Sequence, residues 1–467
     1  MSKVNLKDHR EIGRELDLFF LHKYAPGAAF WLPKGMVIFK ELEKYVRDLT
    51  LKAGYQETST PILVKSDIFR ISGHYEKFGA HNMFNLPIYE DDEMDSIQKA
   101  MTEADADIKK RVKKSGSTPF GYRITYLSEN ETREVEPLVI PTDLDKGSYT
   151  WTLPFNTSLK PMNCPESTLI YSVKKRSYRE LPLRISEIGK LHRREKSGEI
   201  NGLLRVRQLT MDDAHLFVRE DQILEEVNNI LTTMTNFYKS LGFDYEFKLG
   251  TRPEQYKGSL QNWKKAEEKL KLALDSQKLK YSIKEKEGAF YGPKIDMHIK
   301  DSIGREWQLA TVQIDFALPS EEQFSLKYVD KDGSAKQPVM IHRAIFGSFE
   351  RFIAILTEHF QGAFPVWLSP IQSIILPVSD KFTDFAQKTA DKIRSNGIRA
   401  ELDKRAETLQ AKIRDALLQK IPYILVVGEK EQKSGKVSIR ERDKKDLAQM
   451  TTDEFVGKIK ADIEKKV

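Results

Sequence analysis

The sequence predicts an α+β protein: a large core of antiparallel strands with helices, followed by a smaller α/β domain with a mixed sheet. Three patterns carry this reading. Apolar residues recur at helical spacing near the start of the chain. Strand-like and polar segments then alternate to about residue 340, and from Pro370 strands and helices alternate one for one. At 467 residues the chain has room for two or three domains and a sizeable core. The segment 362-GAFPVWLSP-370 reads as a linker and divides the chain into 1–368 and 369–467.

In chain order, residues 8–20 read as an amphipathic helix through Ile12, Leu16, Phe19 and Phe20. Residues 36–52 read as a second, through Val37, Phe39, Leu42, Tyr45, Val46 and Leu49. The segment 54-GYQETSTPILV-64 is strand-like until Pro61 ends it. Residues 85–155 stand apart as an insertion expected to pack outside the core, with a helical stretch from Glu90 to Lys114 that turns from acidic to basic. Further helices are expected near 220–240 and 260–280. Beyond Pro370 the order reads β-α-β-α-β-β-α: strands Ile371–Val378, Ile398–Leu402, Tyr423–Val427 and Lys436–Arg442, helices 380–395, 407–419 and 452–465.

Composition narrows the class. A net charge of +7 from 76 basic and 69 acidic residues permits a polyanionic partner without demanding one. No apolar run approaches the ~18 residues of a membrane span, and the start, MSKVNLKDHREIG, lacks a hydrophobic signal core or a transit-peptide composition. A lone cysteine excludes an intrachain disulfide framework and points to a reducing compartment, and without a transit-peptide composition a cytoplasmic setting is expected ahead of an organellar one.

Chemistry is written where charge interrupts apolar pattern. In 190-KLHRREKSGEINGLLRVRQLTMDDAHLF-217 two strand-like arms, Leu191–Arg194 and Leu203–Leu209, carry Arg193 on the first and Arg205 and Arg207 on the second, with Glu195 beside them. Planar, always-charged guanidinium groups and a carboxylate suit a polyphosphate joined to a purine edge. In 342-HRAIFGSFERFIAILTEHF-360, Ile345, Phe349, Phe352 and Leu356 form one helical stripe, and Gly347 allows close backbone approach ahead of Arg351. No metal-ligand pair sits at helical i, i+4 spacing, which argues against a zinc hydrolase.

These two segments resemble motifs 2 and 3 of the class II aminoacyl-tRNA synthetases, with 54–64 as motif 1. Together with 161-PMNCPES-167, 211-MDDAHLF-217, 289-AFYGPKIDMHI-299 and 338-PVMIHRAIFGSFERF-352, the chain resembles the threonyl-tRNA synthetases from 8-DHREIGRELDLF-19 to its C-terminus, in a short form lacking the N-terminal editing domains. The resemblance implies an antiparallel-sheet catalytic core over 1–368, an anticodon-binding domain over 369–467, and ATP-dependent attachment of threonine to tRNA(Thr) through a threonyl-adenylate, with Mg2+ accompanying ATP. It implies that Arg193 contacts the α-phosphate, Glu195 the adenine amino group and Arg205 the γ-phosphate. Arg351 would clamp the nucleotide from the opposite side, with Gln308 and Lys294 as secondary contacts. Cys164, His215 and His342 would hold one Zn2+ ion with an open position for substrate. Taken alone, a single cysteine is more often a small buried hydrophobe and a single histidine a structural one. Asp213, Tyr291 and Gln313 would line the threonine pocket, and His74 in 72-SGHYEKFG-79 would serve transfer to tRNA as proton acceptor or by positioning. Arg405, Glu431 and Arg440 would read anticodon bases, with Lys433, Lys436 and Arg442 on phosphates. Motif 1 implies a homodimer burying Tyr55, Ile62, Leu63 and the helix around Leu42–Leu49. The short form implies no editing of seryl-tRNA by this chain and a separate trans-editing protein. The rival reading is a catalytically silent paralogue that binds tRNA or regulates translation.

Overall fold

The computed structural model describes residues 6–89, 91–115, 124–128, 131–135, 138–143, 148–152, 156–301, 304–444 and 446–466. The chain forms two compact units: residues 1–60, 167–190 and 195–467, and residues 61–166 with 191–194.

The first unit is organised by an eight-stranded sheet. In chain order its strands are β1 (Gln56–Glu57), β2 (Leu183–His192), β3 (Gln208–Val218), β4 (Tyr245–Gly250), β5 (Tyr281–Lys284), β6 (Lys294–Lys300), β7 (Glu306–Asp315) and β8 (Val339–Ala344). They lie in the order β5-β4-β6-β7-β8-β3-β2-β1. The central pairs β4–β6, β6–β7, β7–β8 and β3–β8 are antiparallel, and only the margins, β1–β2 and β4–β5, are parallel. Helices α4 (Ile223–Ser240), α5 (Leu260–Ser276) and α6 (Phe349–His359) pack on this sheet, α1 (His9–Glu15) and α2 (Pro33–Lys52) pack on α6, and α3 (Cys164–Ser172) has residues in both units. The core is strongly aromatic: Phe237, Phe346, Phe349 and Phe352 are buried, and the Phe346 ring lies within 5.7 Å of each of the other three.

Within the same unit, residues from Ser373 build a five-stranded sheet ordered β10-β9-β11-β12-β13. Its strands are β9 (Ser373–Pro377), β10 (Ala400–Leu402), β11 (Tyr423–Val427), β12 (Lys436–Glu441) and β13 (Leu447–Thr451). The first three are parallel and the last two antiparallel, the expected mixed sheet. Helices α7 (Thr383–Ser395), α8 (Leu409–Leu418), α9 (Glu429–Ser434) and α10 (Thr452–Lys465) pack on it. Ile463 of α10 touches both this core and the larger one, Lys466 lies over the rings of Tyr45 and Trp367, and Arg399 pairs with Glu41 of α2.

The second unit holds a three-stranded antiparallel sheet, Leu63–Lys65 and Phe84–Leu86 flanking Thr157–Leu159. It also contains a helix, Asp91–Ser115, and two hairpins, Ile124–Ser128 with Glu131–Val135 and Leu138–Asp143 with Ser148–Thr152. The helix occupies the charged stretch expected from Glu90 to Lys114. The side chains of 106–155 lie outside the described residues, and with them the expected packing of this insertion.

Four expectations are corrected. The helix expected over 8–20 stops at Glu15, because Asp17 takes a left-handed φ of 54° and the Leu18 amide folds back on Gly13. Phe19–Leu21 then pairs with Ala29–Trp31 as a hairpin. The strand expected up to Pro61 is only Gln56–Glu57, with a further strand at Leu63–Lys65. The arginine-bearing arms are not strands: β2 ends at His192 and β3 begins at Gln208, leaving Arg193, Arg205 and Arg207 in the connection. The Arg207 amide is taken by Gly27 O at 2.7 Å rather than by a strand partner. In the C-terminal domain α9 and β13 were not expected. The first is a six-residue helix capped by Glu431, too short to show a period, and the second is a largely exposed edge strand with little apolar alternation.

Candidate active site

Strand β3 carries polar side chains on both faces, and its period of two sorts them by role. On one face Asp212 accepts from Arg343 Nη1 at 2.8 Å and from the amides of Ile345 (2.6 Å) and Phe346 (3.2 Å). That carboxylate ties β3 to the β8–α6 turn. Arg343, itself buried, also lies over the Tyr55 ring at 4.8 Å.

The opposite face carries the candidate substrate residues. His215 of β3 is registered against His342 of β8, His342 against Gln313 of β7, and Gln313 against Lys294 of β6. Directly opposed residues share a face, so these four side chains form one row across four strands. The two imidazole rings lie 5.0 Å apart, and Tyr291 stacks on His342 at 4.8 Å while its hydroxyl donates to Gln313 Oε1 at 2.6 Å. Gln313 Nε2 donates to Thr311 Oγ1, Thr311 to Asp296 Oδ1 at 2.7 Å, and Lys294 Nζ pairs with Asp296 at 2.6 Å. Asp213 is next to the row, with Oδ1 3.7 Å from His215 Nε2.

Each histidine has one ring nitrogen engaged by a neighbour. His342 Nε2 lies 3.0 Å from Asp315 Oδ2, and His215 Nδ1 lies 2.9 Å from Ser167 Oγ, one turn along the helix that Cys164 opens. A carboxylate or hydroxyl behind an imidazole fixes which nitrogen faces a metal, the usual support for a histidine ligand. Burial, reinforced by His342 and Arg343, holds His215 well below its ordinary pKa and so in the neutral form that ligates. The two buried imidazoles offer nitrogen ligands of the kind that Zn2+ takes. Asp315 escaped the sequence reading, and Ser167 entered it only as the last residue of the 161-PMNCPES-167 motif, without a partner. Asp315 follows Gln313 at the strand period, so alternation along β7 places it on the same face. Ser167 is three residues after Cys164, which places it one helical turn away.

The arginines are held by backbone and by opposite charge. Arg205 donates to Glu195 (2.8 Å) and to Glu199 (3.0 Å), so Glu195 and Arg205, expected on different ends of a nucleotide, pair with each other here. Arg351, in the first turn of α6, donates to Leu204 O at 2.9 Å and to Gln308 O at 3.5 Å, with its guanidinium 5.6 Å from the Trp307 ring centre. In the second unit Arg193 donates to Pro161 O at 3.2 Å and lies over the Phe78 ring. His74 is buried there, with Nδ1 2.8 Å from Ser72 Oγ and Nε2 3.7 Å from Cys164 Sγ.

In the C-terminal domain Arg405 is bound to Asp403 (2.7 Å) and Asp415 (3.0 Å). Glu431 accepts from the Gly428 amide and from Ser438 Oγ, the work of a helix cap. Arg440 is on β12, and Arg442, expected on a phosphate, donates to Phe364 O and Lys420 O.

The fold and the polar row define the class. Residues 154–360 match the family model described as tRNA synthetase class II core domain (G, H, P, S and T), and residues 372–462 match that of an anticodon binding domain. The chain is 41% identical over 466 residues to the threonine–tRNA ligase of Caldanaerobacter subterraneus subsp. tengcongensis, covering 100% of this chain and 62% of that relative. It is 40% identical over 467 residues to that of Clostridium kluyveri, covering 100% and 63%. The crystal structure of the RNA binding domain of threonyl-tRNA synthetase from Cryptosporidium parvum Iowa II superposes with a TM-score of 0.79 at 33% identity, over 97% of this chain and 98% of that one. A putative threonyl-tRNA synthetase from Aeropyrum pernix, 22% identical over 98% of this chain and 97% of its own, shares the fold with a TM-score of 0.72. The chain belongs to the threonyl-tRNA synthetase family. It spans about three-fifths of the length of the curated relatives it matches.

Proposed function

We propose that this chain is a threonine–tRNA ligase that forms threonyl-adenylate from ATP and threonine, then transfers the threonyl group to tRNA(Thr). The observation that carries this reading is the row His215–His342–Gln313–Lys294 with Tyr291 and Asp213 around it, a dense set of polar side chains on the face of a rigid sheet. In adenylation the threonine carboxylate attacks the α-phosphorus, pyrophosphate leaves, and charge accumulates on the transferring phosphoryl group. Arg193, Arg205 and Arg351 supply fixed positive charge to it, with Mg2+ accompanying the nucleotide. Glu195 accepts from the adenine amino group, which requires it to leave Arg205 as ATP enters. Gln308 and Lys294 add secondary contacts.

Cys164, His215 and His342 would hold Zn2+. Such an ion supplies Lewis-acid coordination for an amino and a β-hydroxyl group together. Asp213 accepts from the substrate's polar groups, while Tyr291 and Gln313 shape the pocket wall. Valine, lacking the hydroxyl, leaves these groups unpaired and is rejected. Serine lacks only a methyl group, worth ~1–3 kcal/mol, so the site activates it measurably, and a separate trans-editing protein would clear the seryl-tRNA. In the second step the tRNA ribose hydroxyl attacks the carbonyl and AMP leaves, with His74 as the candidate proton acceptor or positioning group. Arg405, Glu431 and Arg440 are candidates for the anticodon, with the working division at 1–368 and 369–467. A homodimer is proposed through the β1–α2 edge, where Leu51 is 74% exposed, and cytoplasmic location suits the lone cysteine. Among the described residues no helix is long and apolar enough to cross a membrane.

The test is pyrophosphate exchange into ATP. Exchange is expected with threonine, weaker with serine and absent with valine. Absence with threonine, or stronger exchange with proline or glycine, would overturn the assignment, and tRNA binding without exchange would favour the silent paralogue.

A further inference from the structure

Helix α1 begins at His9 because Asp8 caps it, accepting from the amides of Arg10 (2.8 Å) and Glu11 (3.1 Å). The cap delivers His9 into the interior, where it is 1% exposed. Its own amide, one of the donors a helix start leaves without an intrahelical partner, goes to Glu358 Oε1 at 3.1 Å, and its Nδ1 lies 2.8 Å from the same oxygen. Its Nε2 accepts from the Leu203 amide at 3.0 Å, which assigns the ring hydrogen to Nδ1. The neighbouring Leu204 carbonyl is the acceptor for Arg351 Nε. The contact is tight: Gly202 has φ +54°, and a Cβ there would lie 2.1 Å from His9 Nε2.

From Glu358 the contacts return to Arg351 by another route. Arg305 Nη2 donates to Glu358 Oε2 at 2.7 Å and Arg305 Nε to Asp301 Oδ2 at 2.6 Å. Trp307 Nε1 donates to Asp301 Oδ2 at 2.8 Å, and the Trp307 ring lies under the Arg351 guanidinium. His9, Glu358, Arg305, Asp301, Trp307, Arg351 and the Leu203–Leu204 backbone thus close a ring.

We infer that His9 is a positioning residue for the nucleotide: it fixes the Leu203–Leu204 backbone, which with Trp307 sets the plane and reach of Arg351. The inference rests on the assignment of Arg351 to ATP. One imidazole holds a backbone donor and a carboxylate at once, which requires the neutral Nδ1–H tautomer. A phenylalanine of similar shape can hold neither.

The test is steady-state pyrophosphate exchange with His9→Phe, Glu358→Leu and the double variant, rates normalised to active sites. Each single variant is expected to raise KM for ATP about three- to tenfold, the worth of a net hydrogen bond or two, with KM for threonine unchanged. The double variant is expected to match the singles, because both cut one ring. Arg305→Met, at the ring's exposed side, keeps the question decidable if the buried variants do not fold, and should shift KM for ATP in the same direction by less. An unchanged KM for ATP, or an equal rise for threonine, overturns the inference. Wild-type chain without threonine-dependent exchange would instead overturn the functional assignment on which it rests.

Discussion

The eight-stranded sheet and the C-terminal five-stranded sheet treat charge in opposite ways. In the first, Asp212, His215, Asp315, His342 and Arg343 are all buried on or beside the central strands, each with a polar partner. In the second, β9 and β11 are almost wholly apolar, and the charged candidates are Arg405 in the bend between β10 and α8, Glu431 in the first turn of α9 and Arg440 near the end of β12. Arg405 and Glu431 are already engaged there, by Asp403 and Asp415 and by a helix cap. Charge inside a rigid sheet is preorganised and needs little rearrangement to act on a substrate. Charge at the periphery of the smaller domain has to exchange its partners before it can meet a nucleic acid.

Removing a buried partner should produce the largest effect. Arg343→Leu leaves Asp212 buried without its counter-charge, and a loss of about 3–5 kcal/mol is expected in urea denaturation. A loss below about 1 kcal/mol, the range of exposed pairs, would erase the contrast between the two regions.

Glu350 sharpens the contrast through pH. Burial pushes its carboxyl up to about 7, although the Thr210 amide donates to it. The folded-state pKa therefore exceeds the unfolded one. The stability associated with the bound proton is fully present below about pH 4.5 and is lost as pH rises through about 7, a decline of up to about 3 kcal/mol. Glu350→Gln, which titrates nowhere, should flatten that part of the stability profile. An unchanged profile would place the titration on another group.

At the periphery the expected change in folding is smallest. Arg405 is more than half exposed, so Arg405→Ala should alter stability by only about 0.2–1 kcal/mol. Its effect should appear in KM for tRNA, with pyrophosphate exchange unchanged. A loss of exchange would move Arg405 out of the anticodon role.

The regions also differed in how far the sequence disclosed them. Strand Tyr423–Val427 and helix 452–465 fall where expected, because a β-rich apolar run and an amphipathic period are local signals. The candidate row was legible in residue type, since histidine, glutamine and lysine interrupt apolar strands. Its register was not, because the pairing of His342 with both His215 and Gln313 is a non-local fact. The Arg193–Arg207 connection misled for the same reason: its alternation looked like strands, while its backbone partners, such as Gly27, lie far away in sequence. His9 gave no signal, for its partners Glu358 and Leu203 are 349 and 194 residues distant.

The seam formed by Ile463, Lys466 and Arg399 has a consequence for chimeras. Ile463 belongs to two hydrophobic cores at once, and Lys466 closes over rings from α2 and from the segment before β9. A C-terminal domain transplanted from a relative inherits its own half of that seam and meets an unfamiliar other half. Grafts cut at residue 369 would therefore need Glu41, Tyr45 and Trp367 to travel with the donor domain, and swaps that ignore them should melt in two separate steps where the parent melts in one.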